Sequence, residues 1–306
     1  VTSRLMLLDS ASLYFRAFYG VPDSVTAPDG TPVNAVRGFM DIIAKLVSTY
    51  RPADVVACWD DDWRPQWRVD LIPSYKAHRV ETVVAGGPDV EEVPDRLVVQ
   101  VPVIREALGV LGIPVVGTIQ AEADDIIGTL ATRAQQPVDI VTGDRDLFQL
   151  VDDARDVRVI YTARGMSNLE VLTDEAVVAK YGIHGAQYAD FATMRGDTSD
   201  GLPGVPGVGD KTAATLLQRH GDLAGILAAA ETGEGMSAGV RAKLDAARPY
   251  LAVAPDVVRV ATTLDLPEPD ARLRVPDAAA AAAFAEAWGL GSSLRRACDA
   301  IAAVAG

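Results

Sequence analysis

The stretch VDIVTGDRDLFQL at Val138–Leu150 falls into two halves whose order decides the fold. Val138–Thr142 is a short, mostly β-branched and apolar run of the kind that forms a buried strand. It gives way to a glycine and two aspartates, Asp144 and Asp146, before apolar residues resume. Working outward, comparable runs occupy Arg4–Leu8, Asp54–Trp59, Ile113–Val116 and Val157–Tyr161. Helical spacing lies between them. Asn34–Ser48 places apolar residues at 35, 36, 39, 42, 43, 46 and 47; Arg96–Leu111 reads as a helix closed by Gly112, and Asp124–Arg133 as another. Strands alternating with helices predict an α/β fold, its mainly parallel central sheet flanked by helices.

Acids follow four of these strands. Asp9 comes directly after the first run and Asp60 after the second; Glu122, Asp124 and Asp125 follow the third, and Asp144 and Asp146 the fourth. Open parallel sheets bind ligands outside the carboxyl ends of their strands, so these acids are delivered to one edge. A single Asp there is an ordinary cap or turn residue. Four groups together are harder to explain that way. Crowded carboxylates repel one another, and burial adds a desolvation cost. A hard divalent cation that prefers oxygen ligands relieves both problems. Two such ions roughly 3.5–4 Å apart bridge a scissile phosphate, lower a water's pKa and stabilise the leaving oxygen. With three histidines in the chain and two distant cysteines, Cys58 and Cys298, zinc is a poor match. The expectation is two or more magnesium or manganese ions and a phosphodiester substrate.

The 306 residues are 49% apolar, enough for a sizeable core, with no uninterrupted apolar stretch of about 18 residues to suggest a membrane span. The opening VTSRLMLLDS lacks the order of a secretory leader, so a cytoplasmic protein with free thiols is expected. A net charge of −14 argues at first against nucleic acid, but acids gathered on bound cations would be far less negative than the count implies. After about Leu169 helical patterns dominate, including the alanine tract of Pro276–Trp288. A division is therefore expected near residue 166, between a core at 1–166 and a helical region at 167–306. The irregular stretch from Asp60 to Pro94 is too long for an ordinary connection. The run GLPGVPGVGDKTA at 201–213 reads as a helix-hairpin-helix. Gly204, Gly207 and Gly209 permit close backbone approach, and the next helix aims its N-terminal amides and Lys211 at a phosphate. Such a hairpin reads no base edges.

Several stretches resemble the bacterial 5′-nuclease family, which comprises the flap endonucleases and the 5′-nuclease domain of DNA polymerase I. They are AEADD at 121–125, TGDRDLFQL at 142–150 and RGDTSDGLPGVPGVGDKTA at 195–213, with LLDSASLYFRAF, CWDDDWRPQWRVDLIPSYKAHR and GLGSSLRRA in keeping. The resemblance spans nearly the whole chain. It implies a PIN-like nuclease core, a helical arch at about 62–100 and a C-terminal helix-hairpin-helix region. The implied activity is metal-dependent 5′ flap endonuclease and 5′–3′ exonuclease cleavage in lagging-strand maturation and repair. By position, Asp9, Asp60, Glu122, Asp124 and Asp125 resemble the acids of the tighter metal site, and Asp144, Asp146, Asp197 and Asp200 those of the second. Asp197 and Asp200, three apart, would share one face of a helical turn.

Lys76 and Arg79 resemble the family's basic residues at the foot of the arch, which suits phosphate contact and transition-state neutralisation. Tyr75 resembles an aromatic that stacks on a terminal base, while Arg16 and the Arg68 of Trp67-Arg68 resemble DNA-contacting arginines. The resemblance also implies potassium at the hairpin carbonyls. It implies DNA partners with a 5′ flap, nick or 5′ end, an RNA primer strand among them, and a monomer that needs no membrane. No polymerase region follows, so a free-standing nuclease is expected. Gly201 departs from the family's usual Asn, and Trp59 from its usual Phe. The alternatives are a non-catalytic DNA-binding module and a PIN-type ribonuclease. The full set of acids argues against the first, and the 60–94 stretch with the hairpin against the second.

Overall fold

The computed structural model describes residues 3–85 and 87–305. Among them the strands are β1 (Leu5–Asp9), β2 (Asp54–Cys58), β3 (Val80–Thr82), β4 (Val90–Glu91), β5 (Val115–Val116), β6 (Val138–Thr142), β7 (Val157–Tyr161) and β8 (Glu170–Leu172). Six of them build one sheet in the order β5-β2-β1-β6-β7-β8, parallel except for the edge strand β8. β1 is buried along its whole length, and successive residues serve opposite faces. Leu5 and Leu7 join one core with Val56, Ile140 and Val159; Met6 and Leu8 join the other with Val55, Val141 and Ile160. Both faces are covered, which is why these strands read as continuous apolar runs.

Chain order places the next strands on opposite sides of β1: β2 pairs with one edge and β6 with the other. The β1–β6 junction is thus the switch point where a doubly wound sheet opens a crevice at its carboxyl edge. Register aligns the strand ends there, Asp9 beside Cys58 of β2 and Leu8 beside Val141 of β6.

Helix Asn34–Tyr50 covers one face and has no side-chain cap of its own. Gln100 supplies one from a distance: its Oε1 accepts from the Ala35 N–H at 2.7 Å, and its Nε2 donates to Asn34 Oδ1 at 2.9 Å. That use of Gln100 explains why the helix expected over Arg96–Leu111 is two pieces, Asp95–Val98 and Val101–Val110. Pro102 cannot donate back to the preceding turn, and it sits in the first turn of the second piece, where a missing N–H is harmless.

Two expectations need correction. The division near 166 falls before the sheet is complete, because β8 lies beyond it. Helix Ser293–Ala305 then returns to pack Leu294, Ala297 and Ile301 against the face that helix Asn34–Tyr50 covers. Arg296 reinforces that return by pairing with Asp41 at 2.6 Å. Nor is the 62–100 stretch a helical arch. It holds helix Gln66–Leu71, a 3₁₀ turn at Ala77–Arg79 and the antiparallel hairpin β3–β4. Val80, Thr82, Val83, Val84 and Val90 are β-branched and disfavour a helix there. No described helix is long and apolar enough to cross a membrane. Cys58 and Cys298 are free thiols.

The Gln100 cap yields a stability test. Gln100→Leu strands the Ala35 amide and the Asn34 carbonyl oxygen in a fully buried position, at a cost of about 2–4 kcal/mol for the two groups. Urea denaturation should show a lower midpoint with an unchanged slope.

Candidate active site

The carboxyl edge of the sheet opens into a cavity of about 480 Å³. Asp9, Asp60, Glu122, Asp124, Asp144 and Asp197 line it. Behind it a pocket of about 20 Å³ is bounded by Asp146 and Asp200, with Glu122 and Asp124 shared between the two. A larger trough of about 890 Å³ lies between helices Ser10–Gly20 and Asn34–Tyr50 and meets the acid cavity at Ser12 and Phe15. Its one carboxylate is Asp41, so the chemistry belongs to the smaller space. Arg16 lines the trough rather than the acid cavity, and its Nε is buried without a partner.

Local structure aims each acid. Asp9 ends β1 and caps the following helix, its Oδ1 accepting from the Ser12 N–H at 3.1 Å, while its Oδ2 accepts from the Thr142 hydroxyl at 2.6 Å. Asp60 accepts from the Ala123 N–H at 2.7 Å, tying β2 to the helix that carries Asp124 and Asp125. Its neighbours point elsewhere, Asp61 to Arg105 and Asp62 to the Gln120 N–H. Asp144 accepts from the Asp146 N–H, turning the chain so that Asp146 faces inward. Asp197 and Asp200 sit on no helical turn. Asp197 and Leu202 exchange backbone bonds at 3.0 and 2.8 Å, closing a hairpin-like loop, which sends the two acids to different cavities.

The electrostatics follow from this crowding. Burial, with Asp60 alongside, pushes Asp9 up to about 7 against the hydrogen bonds that favour its charge. Burial likewise raises Asp60 to about 6, although Lys76 opposes it. Asp124 is driven well above the usual carboxylate range by burial and then by Asp144 and Asp9, and Asp146 by burial and then by Asp144 and Asp200. Asp146 Oδ1 is buried with no hydrogen-bond partner. Buried polar atoms are rarely left so unless something outside the protein completes them.

Asp125 is different. It is 1% exposed and lines neither cavity. Arg68 grips both its oxygens at 2.7 Å, and the Ala261 and Glu122 N–H groups donate to it at 2.7 and 3.0 Å. Burial raises its pKa, but Arg68 overrides that and holds the carboxyl below its ordinary range. The sequence expectation of a metal ligand is corrected: Asp125 is a buried ion-pair partner. Arg68 and Tyr75 are corrected with it, at 2% and 4% exposed. Arg68 also donates to Glu122 Oε1 at 3.0 Å, and the Tyr75 hydroxyl donates to the same oxygen at 2.6 Å. Neither reaches the surface to touch DNA or stack on a base.

Lys76 does face the acid cavity. Its ammonium is paired with Glu122 Oε2, and its backbone takes the left-handed φ of +47° that non-glycine residues rarely adopt. Burial opposes the Lys76 charge; Glu122, with Asp200 and Asp60 behind it, outweighs burial and keeps it protonated well above the ordinary lysine range. Arg79 pairs with Asp200 at 3.0 Å and the Ser199 carbonyl at 2.6 Å. The conformation of Lys76 is braced from the 197–202 loop: its N–H donates to the Asp200 carbonyl at 2.9 Å, and the Ser74 hydroxyl to the Gly201 carbonyl at 2.7 Å. Gly201, at φ +71°, leaves no room for a side chain against the Ser74 carbonyl, so the departure from Asn accompanies a close backbone approach.

The glycine-rich run joins helices Tyr188–Arg195 and Asp210–His220. Gly204 and Gly207 have φ of +64° and +75°, Gly209 precedes the second helix in extended conformation, and Lys211 is exposed in its first turn. The Lys243 ammonium donates to the Gly207 carbonyl at 2.9 Å.

Sequence reasoning missed Thr142, whose hydroxyl links Asp9 to the Asp144 N–H. It also missed Trp63 and Glu91, which reach the cavity only through the 60–94 stretch. The donor set suits a hard cation: oxygens only, one of them orphaned, and more carboxylates than nearby cations. Among the described residues no three acids stand close enough to enclose an ion directly.

Comparison with known proteins agrees with this layout. The family model of the 5′–3′ exonuclease N-terminal resolvase-like domain matches residues 4–182, and that of the 5′–3′ exonuclease C-terminal SAM fold matches residues 183–280. A 5′–3′ exonuclease of Streptomyces coelicolor is 60% identical over 296 residues, covering 95% of this chain and 98% of its own. DNA polymerase I of Mycobacterium bovis is 44% identical over 227 residues, which are 73% of this chain and 24% of the polymerase. The T5 D15 protein co-crystallised with metal ions shares the fold, with a TM-score of 0.65 at 16% identity over 99% of this chain and 100% of that one. The chain belongs to the 5′–3′ exonuclease family.

Proposed function

We propose that this protein hydrolyses DNA phosphodiesters at a 5′ flap, nick or 5′ end, as a flap endonuclease and 5′–3′ exonuclease in lagging-strand maturation and repair. The observation that carries the reading is the charge imbalance of the cavity. Seven carboxylates line it, from four strand ends, the loop at Asp197 and the β3–β4 hairpin, against three protein cations, Lys76, Arg79 and Arg145. Such an arrangement destabilises the empty protein and suits one that works with divalent cations and a polyanion.

Asp9, Asp60, Glu122, Asp124, Asp144 and Asp197 would hold ions from the acid cavity of about 480 Å³, and Asp146 and Asp200 from the pocket of about 20 Å³ behind it. Bound magnesium or manganese supplies charge neutralisation and a water of lowered pKa. The chain's own residues do the rest. Lys76 and Arg79 present N–H donors to the non-bridging phosphate oxygens and favour the more charged transition state. Lys76 must leave Glu122 to do so. Gly204, Gly207, Gly209 and Lys211 hold duplex backbone without reading bases. Potassium at the hairpin would compete with the Lys243 ammonium for the Gly207 carbonyl. Arg16, beside the cavity, is free to take a further phosphate. We propose a monomer that accepts an RNA primer strand at the 5′ end.

Purified protein with either metal should release a labelled 5′ flap by a cut at or beside the junction. An intact flap that is nonetheless bound refutes the reading.

Asp124 and Asp125 should part company. Asp124→Asn should lower single-turnover cleavage by about 100-fold or more, on the scale of losing one electrostatic stabiliser. It should also raise the melting temperature of the metal-free protein, because it removes a repelling charge. Asp125→Asn should instead cost about 3–5 kcal/mol of stability by stranding buried Arg68. Denaturation and single-turnover assays on both variants decide it; a destabilised Asp124→Asn speaks against the assignment.

The raised acids set the pH dependence. Burial raises folded Asp9 to about 7 and folded Asp60 to about 6, against 3.8 for an ordinary aspartate, so the folded state keeps protons that the unfolded state has lost. Their contribution is complete below about pH 4 and lost as pH rises through 6 to 7. Added magnesium should therefore raise the melting temperature more at pH 8 than at pH 5. The metal-induced shift is the cleaner readout, because Asp125 and Asp156, held low chiefly through Arg68 and Arg4, weaken the fold in acid. Equal shifts at both values would contradict this account.

A further inference from the structure

With Tyr75 buried, the aromatic surface that a nucleotide would meet in the acid cavity must come from another residue. Trp63 is the aromatic on the wall that carries Lys76 and Arg79. Its backbone carbonyl accepts from the Lys76 ammonium at 3.4 Å, so the residue is joined to that cation at the cavity wall. The indole N–H is already used, donating to the Asp89 carbonyl at 2.7 Å. What the side chain can still offer the cavity is its apolar π surface.

Its placement is also rigid. Arg64 pairs with Asp89 at 2.6 Å, both side chains under a tenth exposed, and donates to the Tyr75 and Pro73 carbonyls at 2.6 and 3.3 Å. Asp89 in turn accepts from the Val84 N–H at 3.1 Å. One buried ion pair thus holds Trp63, the β3–β4 hairpin and the Tyr75–Lys76 segment in a fixed relation. The other cavity aromatics are engaged on the sheet side. Phe15 packs on Tyr14 with ring centroids 5.2 Å apart, and Tyr161 on Phe148 at 5.1 Å.

We infer that Trp63 is a substrate-binding residue, its ring stacking on a base beside the scissile phosphate while Lys76 and Arg79 take that phosphate. The stack is blind to base identity, because every base has a π face, and it positions a nucleotide whatever the sequence. This assignment rests on reading the cavity as a phosphodiester-cleaving site, which cleavage of an intact flap by the wild type tests separately.

The experiment pairs protein variants with abasic flap substrates. An abasic residue is placed in turn at each nucleotide flanking the scissile phosphate, and kcat/KM is measured against the intact flap. In the wild type one of the two should lose roughly tenfold, the scale of a single base–aromatic stack. Trp63→Phe, which retains an aromatic face, should keep that penalty, and Trp63→Leu should abolish it. A merely structural Trp63 would leave the penalty in place at a lower overall rate, and that result overturns the inference. So does a wild type indifferent to both abasic substrates. Should Trp63→Leu fail to fold, a flap carrying 5-iodouracil at the sensitive position is irradiated with the wild type. Cross-linking to the Trp63 peptide supports the stack, and cross-linking to the Phe15 or Tyr161 peptide refutes it.

Discussion

The Arg68–Asp125 pair, with Glu122 joined to it, is the interaction on which the site depends. A sheet that collects carboxylates at its carboxyl edge cannot hold them by their own attraction, because they have none. Some fixed charge of opposite sign must be buried among them before any cation arrives. Arg68 is that charge, a planar donor fork able to satisfy both oxygens of Asp125 and still reach Glu122. A buried ion pair of this kind is a poor source of net stability, since desolvation consumes much of its attraction. Its value is positional: it fixes the start of helix Ala123–Arg133, and so the direction of Asp124. The remaining Arg68 donor, on the Val257 carbonyl at 3.1 Å, pins the helical region to the same point.

Glu122 shows why the acids do not form one uniform cluster. Its Oε1 accepts from Tyr75 and Arg68 and its Oε2 from Lys76, so it is shared between the fixed charge and the mobile one. Asp124, two residues on in the first turn of the same helix, has no comparable partner, and burial raises its pKa. Two neighbouring carboxylates thus differ in their surroundings, Glu122 paired within the protein and Asp124 unpaired, although both line the cavity. The same contrast separates Asp60 from Asp61, which Arg105 pairs.

Much of this was legible in the chain. Short apolar runs leading into acids are a consequence of a sheet buried on both faces with its ligands at one edge, and β1, β2, β5 and β6 follow that pattern. What could not be read was direction. Asp125 and Asp124 are adjacent, and nothing in the string AEADD says that an arginine 57 positions away will claim one and leave the other. Tyr75 and Arg68 were misread for the same reason: both residue types suit DNA contact, and only tertiary packing reveals that they are buried. The hairpin β3–β4 was legible in its β-branched residues but was overridden by the resemblance, which implied helices there. β8 escaped notice because three residues at an edge leave too short a pattern.

The loop at 197–202 connects the two halves of the molecule in a way that composition hides. Its acids face the cavities, its carbonyls hold Lys76 and Ser74, and its end leads within two residues to Gly204 of the hairpin. Lys76 sits in a strained backbone conformation that persists because the Asp200 carbonyl and the glycine at 201 determine it. Lys76, which faces the acid cavity, is therefore positioned by the segment that precedes the glycine-rich turn. A backbone load applied at Gly204–Gly209 is transmitted through Leu202 to Asp197, whose two bonds close the loop, and through Asp200 to the amide of Lys76. Lys76 at the edge of the sheet and the glycine-rich turn, whose Gly204 is itself packed against the Arg195–Gly196 backbone, are thus joined through one short loop.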